Sequence, residues 1–364
     1  VFINFTGPGE GSPGAPPPGV PPSQIAGRVL GFKAPRPLVN GETLEARVFV
    51  AQTSLFAGAP FRGPPMRMGE KWRITQEAGD YLVFTGAGLR AVYAVLGIVN
   101  AGNGSFTPIT MGVRRGVTTS ADNPATGRDI VLDMALDQTV PVTIDSPVSF
   151  PAVVPGQPDL QGNNKVYAWL DLGAEGFVPN PNNWATGASG TTSVASTNPS
   201  LSFPNFPQLD GSNFIFLNES VGANNYPVTY FFRRQPGPLS AGVTIGPMLP
   251  PPLLSEPRGA FTGTISWTTQ AGAVADIHNV QILKPSLSGN VNLWDVVLPG
   301  AENRVVLPPA AVQKLRAENP GAAMFVVIYS SRSPKFAYNQ WTYDSLSGVA
   351  WSSFAIALSP PFMP

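Results

Sequence analysis

The one histidine of this chain, His278, sits in ADIHNVQI with Asp276 two residues before it. Residues two apart on an extended strand share a face, so the pair could contribute to a catalytic triad or a metal site. A triad also needs a nucleophile in a defined constellation, and neither a GxSxG elbow, an HExxH helix nor a P-loop pattern occurs. His278 is therefore expected to be a strand histidine in ordinary hydrogen bonds, and no catalytic residue is assigned.

Carboxylates offer the next possibility. Asp129, Asp133 and Asp137 recur at every fourth position of RDIVLDMALD. On one strand, at about 3.3 Å per residue, neighbours would stand about 13 Å apart. Glycosidase pairs work at about 5–9.5 Å, so the three are expected to form a solvated face that discourages edge pairing. Asp122, Asn123 and Asp129 could offer loop oxygens to a hard cation such as calcium, without EF-hand spacing behind them. No other cofactor is expected.

Aromatic residues are better suited to recognition. Trp184 lies in NPNNWATG, and Trp341 and Tyr343 lie in YNQWTYD. Rings among amides suit sugars, whose C–H faces pack on aromatic planes while their hydroxyls meet Asn and Gln. Core packing or contact with another subunit would explain the same residues.

Composition narrows the classes. Only 12% of the 364 residues are charged, and 22 basic residues balance 22 acidic ones with no stretch concentrating either sign. Nucleic acid and anionic membrane surfaces, which demand a basic field, are poor partners. The 38 Gly and 41 Pro would fit disorder, but 43% hydrophobic residues supply enough apolar surface for a folded, turn-rich protein. Cysteine is absent, which removes disulfides, thiolate zinc sites and cysteine nucleophiles together. No apolar run approaches the roughly 20 residues of a membrane span. With Asn, Ser, Thr and Gly as the main polar residues, an extracellular or bacterial cell-surface location is expected. Val1 in place of methionine points to a segment removed or left out upstream.

Those residues must be positioned by strands. In LEARVFVA, Leu44, Ala46, Val48 and Val50 share one face, and Ile130, Leu132, Met134 and Leu136 do the same. Similar runs recur at GDYLVFTG, AVYAVLGIV, KVYAWLDL, NFIFLN, PVTYFF, GTISWTT, NLWDVVL, MFVVIYSS and WSSFAIAL, separated by NG, DNP, PNPNN, DGSN and PP turns. A helix of about ten residues is expected in VVLPPAAVQKLRAENPGAA, opened by proline and closed at Asn319-Pro320, with Ala311, Val312 and Leu315 toward the core. The chain thus predicts an all-β protein. An N-terminal strand and Pro/Gly linker (1–23) precedes a seven- or eight-stranded sandwich (24–140) and a second β-sandwich (141–364) carrying the one short helix. Residues 179–213 read as a long polar loop.

The order GRVLG, GDYLVFTG, AVYAVLG, FTPITMGVRRGVTTS, DIVLDMALDQTVPVTIDSP, AWLDLGAEGFVP, PVTYFFRR, LWDVVLPG and VVLPP resembles exported surface proteins of myxobacteria and their relatives. Those pair an IPT/TIG-type immunoglobulin-like domain with a carboxypeptidase-regulatory-like (transthyretin-like) sandwich and a further C-terminal β domain. The resemblance runs loosely over residues 25–358 in framework motifs. It implies immunoglobulin/transthyretin-like sandwiches at a cell surface, and it supplies no catalytic residue.

The opening VFINFTGPGEGSPGAPPPGVPPSQ sets the leading functional expectation. Val1, Ile3 and Phe5 would point one way from an extended stretch and Phe2 the other, leaving apolar side chains on both faces. Such a stretch needs covering, and the Pro/Gly segment behind it could span up to roughly 50 Å in polyproline form. It could belong to an upstream domain, fold back on its own sandwich, or complete a sheet in the next subunit. The leading expectation is a non-enzymatic extracellular structural protein, a subunit of a filament or adhesive layer joined to copies of itself by strand donation. The alternative is a carbohydrate- or ligand-binding surface module that uses Trp184, Trp341 and Tyr343.

Overall fold

The computed structural model describes residues 23–52, 69, 71–136, 139–145, 148–150, 160–161, 163–180, 192–194, 200–204, 212–221, 227–237, 239, 242–257, 260–270, 274–286, 289–333, 336–337, 339–340 and 352–364. Strands dominate and one α-helix is present among them, so the chain is all-β.

The N-terminal part is built on β1 (Ser23–Leu30), β2 (Glu42–Val50), β3 (Gly79–Thr85), β4 (Gly88–Asn100) and β5 (Phe106–Thr119). A three-stranded sheet places β1 between β3 and the short strand Ile130–Val131. A five-stranded sheet runs Arg73–Ile74, β2, β4, β5, Met134–Ala135. Ile25, Val29, Tyr81 and Val83 from the first sheet pack against Ala46, Val48, Val92, Ala94 and Leu96 from the second. The alternation of LEARVFVA puts Leu44, Ala46, Val48 and Val50 on this core, as expected.

Strand β4 carries the apolar run AVYAVLGI, and every residue of it is buried. A strand covered on one face alternates; one covered on both does not. Val92, Ala94 and Leu96 face the three-stranded sheet, while Ala91, Tyr93 and Val95 enter a second core with Val142, Ile144, Phe150, Val166, Leu170, Phe214 and Phe216. The five-stranded sheet is therefore a middle layer, and one hydrophobic core is shared by residues on either side of position 140.

The rest of the chain builds one large sheet from β6 (Asn163–Asp171), β7 (Asn213–Val221), β8 (Val228–Pro236), β9 (Ile277–Ser286), β10 (Gly289–Pro299), β11 (Phe325–Arg332) and β12 (Ser353–Leu358). Its order is Phe177–Pro179, β6, β7, β8, β12, β11, β9, β10, with Thr192–Val194 also on the edge of β6, and every pairing is antiparallel. Helix α1 (Pro309–Glu318) begins with proline in its first turn, as expected. Val312 and Leu315 bury into a third core with Trp267, Val280, Ile282, Val326 and Ile328, and Ala311 packs at its margin. A small sheet of Leu253–Glu256, Thr264–Thr268 and Arg304–Val306 covers the same core.

Two strand expectations are corrected. RDIVLDMALD is not one strand: Ile130–Val131 joins the three-stranded sheet and Met134–Ala135 the five-stranded one. Ile130 and Leu132 consequently face the first core, whereas Met134 and Leu136 face the second. The polar stretch 179–213 contains the strand Ser200–Pro204, which pairs with Thr139–Ile144.

Candidate functional site

His278 lies on β9 with no exposed surface. Its register partner on β11 is Ser330, whose Oγ lies 2.8 Å from Nδ1, and Nε2 lies 3.2 Å from the carbonyl oxygen of Gly300. A carbonyl only accepts, so Nε2 carries the proton and donates, leaving Nδ1 to accept from the Ser330 hydroxyl. Burial pushes the pKa of His278 down, and the Gly300 carbonyl pulls weakly the other way, which keeps the ring neutral. Trp267 closes on it edge-to-face at 5.3 Å. Asp276 is not part of this arrangement; its Oδ2 accepts the N–H of Ser333 at 2.7 Å. Serine and histidine are thus in contact, but both are buried and both ring nitrogens are engaged.

Asp129 does not stand on one strand face with Asp133, because the chain changes sheets between them. Its Oδ1 accepts the Arg28 N–H at 2.9 Å and its Oδ2 the Arg28 Nη2 at 2.7 Å, which pulls the carboxyl below its usual range. Asn123 is in a tight turn with Ser120, and Asp122 is exposed beside it. Among the described residues no three histidine or acidic side chains gather as a metal site. Asp137, Trp184, Trp341, Tyr343 and the stretch Val1, Phe2, Ile3 and Phe5 lie outside the described residues. No helix among the described residues is long and apolar enough to cross a membrane.

The arrangement with most chemical potential is one that residue-by-residue reading did not single out. Directly paired residues of an antiparallel sheet share a face. Tyr230 pairs with Phe354, Ile356 with Tyr329, and Tyr329 with Asn279, so these side chains stand on one face of the large sheet across β8, β12, β11 and β9. Phe354 stacks on Tyr230 with ring centroids 6.1 Å apart, and on Tyr329 at 5.7 Å. All three rings are half-buried. Further along the same face Tyr167 stacks on Trp169 at 5.8 Å, in a cluster with Ile215, Leu217 and Phe232.

At the end of the ladder stands Asn279, 1% exposed, with neither its Oδ1 nor its Nδ2 hydrogen-bonded. A buried amide without partners costs about 1–3 kcal/mol, so its retention calls for an explanation. Gln281 and Asp295 are the neighbouring polar positions on that face, paired across β9 and β10. Half-buried stacked rings match the apolar half of sugar recognition. Tyr230, Tyr329 and Phe354 are visible in PVTYFF, VVIYSS and SSFAIAL, but aromatics in strand runs read as core until pairing decides which face they share. A small open depression of about 140 Å³, lined by Ser255, Glu256, Pro257, Ala260, Thr262 and Thr264, lies elsewhere and gathers no comparable set.

No protein-family model matches the chain, and no curated protein matches it.

Proposed function

We propose that this chain is a non-enzymatic, extracellular β protein of the cell surface that binds carbohydrate on the aromatic face of its large sheet. The observation that carries this is the half-buried Tyr230–Phe354–Tyr329 ladder. Stacked rings give a sugar-sized apolar platform at low conformational cost. Low charge and a polar surface rich in Asn, Ser and Thr support the extracellular location. So does the resemblance to exported surface proteins built from immunoglobulin- and transthyretin-like sandwiches, with 24–140 as one sandwich and 141–364 as the next. Trp184, Trp341 and Tyr343 are additional contacts in this proposal.

The test is binding of the purified full chain to a glycan array and to insoluble β-glucan and chitin, compared with a Tyr329→Ala/Phe354→Ala variant whose folding is checked by its thermal midpoint. Binding that weakens at least tenfold in the variant is expected, equivalent to about 1.4 kcal/mol. A wild-type chain that retains no glycan, or a folded variant that binds equally well, removes the proposal.

A further inference from the structure

Two arginines face each other directly in the five-stranded sheet: Arg47 on β2 is the register partner of Arg73 on the short strand Arg73–Ile74. Directly paired residues share a face, and like charges placed so repel and weaken the pairing. One carboxylate serves both. Oε1 of Glu45 accepts from Nε of Arg47 at 2.7 Å and lies 3.9 Å from Nε of Arg73, beyond hydrogen-bond reach. The three side chains together therefore carry an excess positive charge, at a place where the Arg47 side chain is only 19% exposed and salt screens it poorly.

Both guanidinium groups are held over aromatic rings. Arg47 lies 4.0 Å from the ring centre of Phe106, and Arg73 lies 4.6 Å from that of Trp72. The first stack exists because position 97, the partner of Glu45 on β4, is glycine: a Cβ there would lie 2.5 Å from the Phe106 ring. The backbone of Trp72 is tied to β2 through its carbonyl, which accepts the N–H of Val48 at 2.8 Å. Stacking takes up the faces of the guanidinium groups and leaves their N–H edges for hydrogen bonds. Among the described residues, Arg47 spends only its Nε, on Glu45, and the Arg73 guanidinium makes no hydrogen bond.

We infer that Arg47 and Arg73 form a subsite for an oxyanion, a carboxylate or a sulfate group. Such a group accepts from two guanidinium edges at once, in the forked geometry that arginine favours. It supplies the counter-charge that the pair lacks and turns the cross-strand repulsion into a shared attraction. The half-buried setting of Arg47 makes each charge-assisted bond stronger than the same bond on open surface. Two charges make a point contact, not the extended basic field that a polynucleotide requires. The subsite stands on a different sheet from the Tyr230–Phe354–Tyr329 ladder, so it does not rest on carbohydrate binding there. An acidic polysaccharide and a free small anion are the two sources of the same group.

The experiment is isothermal titration of the full chain at low salt with sodium sulfate and sodium glucuronate as free anions, dextran sulfate and polygalacturonate as acidic polymers, and neutral dextran as the blank. Saturable binding of at least one charged probe is expected, and the arm that responds tells free anion from polymer. In Arg73→Gln, whose side chain is 58% exposed, affinity should drop at least tenfold at an unchanged thermal midpoint. Arg304→Gln, exposed on a different sheet, should bind as the wild type does. A wild-type chain that binds no charged probe, an Arg73→Gln chain that binds equally well, or an Arg304→Gln chain that loses as much would overturn the inference. Should Arg73→Gln fail to fold, Arg73→Lys decides, since it keeps the charge without the forked edge: affinity that survives it undiminished is equally fatal.

Discussion

Arg115 and Glu175, sixty residues apart in the chain, meet in a two-pronged ion pair, Nε to Oε2 at 3.1 Å and Nη2 to Oε1 at 3.2 Å. Glu175 Oε2 also accepts the N–H of Gly116 at 3.2 Å. Together with the paired backbones of Gln52 and Phe177, this joins the short turn Gly173–Glu175 to the ends of β2 and β5. The contact orients the large sheet, and so its aromatic face, relative to the N-terminal sandwich.

Glu175→Gln should therefore loosen that junction. Arg115 is a third exposed, so solvent screening limits the loss to about 1 kcal/mol. Urea unfolding at low and high salt checks this, with a difference that shrinks as salt rises. An unchanged midpoint at low salt would show that the backbone pairing alone holds the junction.

His278 makes stability depend on pH. Its folded pKa lies below the ordinary 6.5, so the unfolded chain takes up the proton first as pH falls. The contribution is whole above about pH 6.5 and declines below it, by at most about 1.4 kcal/mol per pH unit until the folded ring titrates. In His278→Gln this component disappears, while the carboxylates common to both proteins cancel in the difference. Parallel stability curves for the two proteins between pH 7.5 and 5.5 would contradict the assignment.

Gly112 lets one strand pass against another. A Cβ there would lie 2.0 Å from the carbonyl oxygen of Val131, which is backbone and cannot swing aside. Gly112→Ala is expected to cost at least about 2 kcal/mol by overpacking. Gly86→Ala, where the nearest atom is the tip of Arg90 at 3.7 Å, should be close to neutral. Equal thermal shifts for the two variants would rule out this account of the sheet change at Leu132–Asp133.

The buried amide of Asn279 gives a test of stability. Replacing the unpartnered amide with the similarly shaped leucine should raise stability by about 1–2 kcal/mol, because a desolvated polar group is lost without breaking a hydrogen bond. A destabilised variant would mean that the amide has a structural partner and serves the fold.

Much of the architecture was legible in the residues alone. The alternation of LEARVFVA, the prolines flanking AAVQKLRAE and the turn clusters between strands act through neighbours along the chain, so local geometry sufficed for the all-β class, the helix and one face of β2. The AVYAVLGI run of β4, grouped with the alternating strands in the sequence, is buried on both faces because it lies between two other layers. Tertiary structure decided which strands adjoin. Antiparallel pairing across 123 residues puts Tyr230 beside Ser353 and Phe354, splits RDIVLDMALD between two sheets, and commits Asp129 to Arg28 instead of to other carboxylates. The physical reason is that strand alternation fixes which residues share a face of one strand, while the register between strands distant in sequence depends on packing of whole sheets. That packing has no signature in any short stretch of residues.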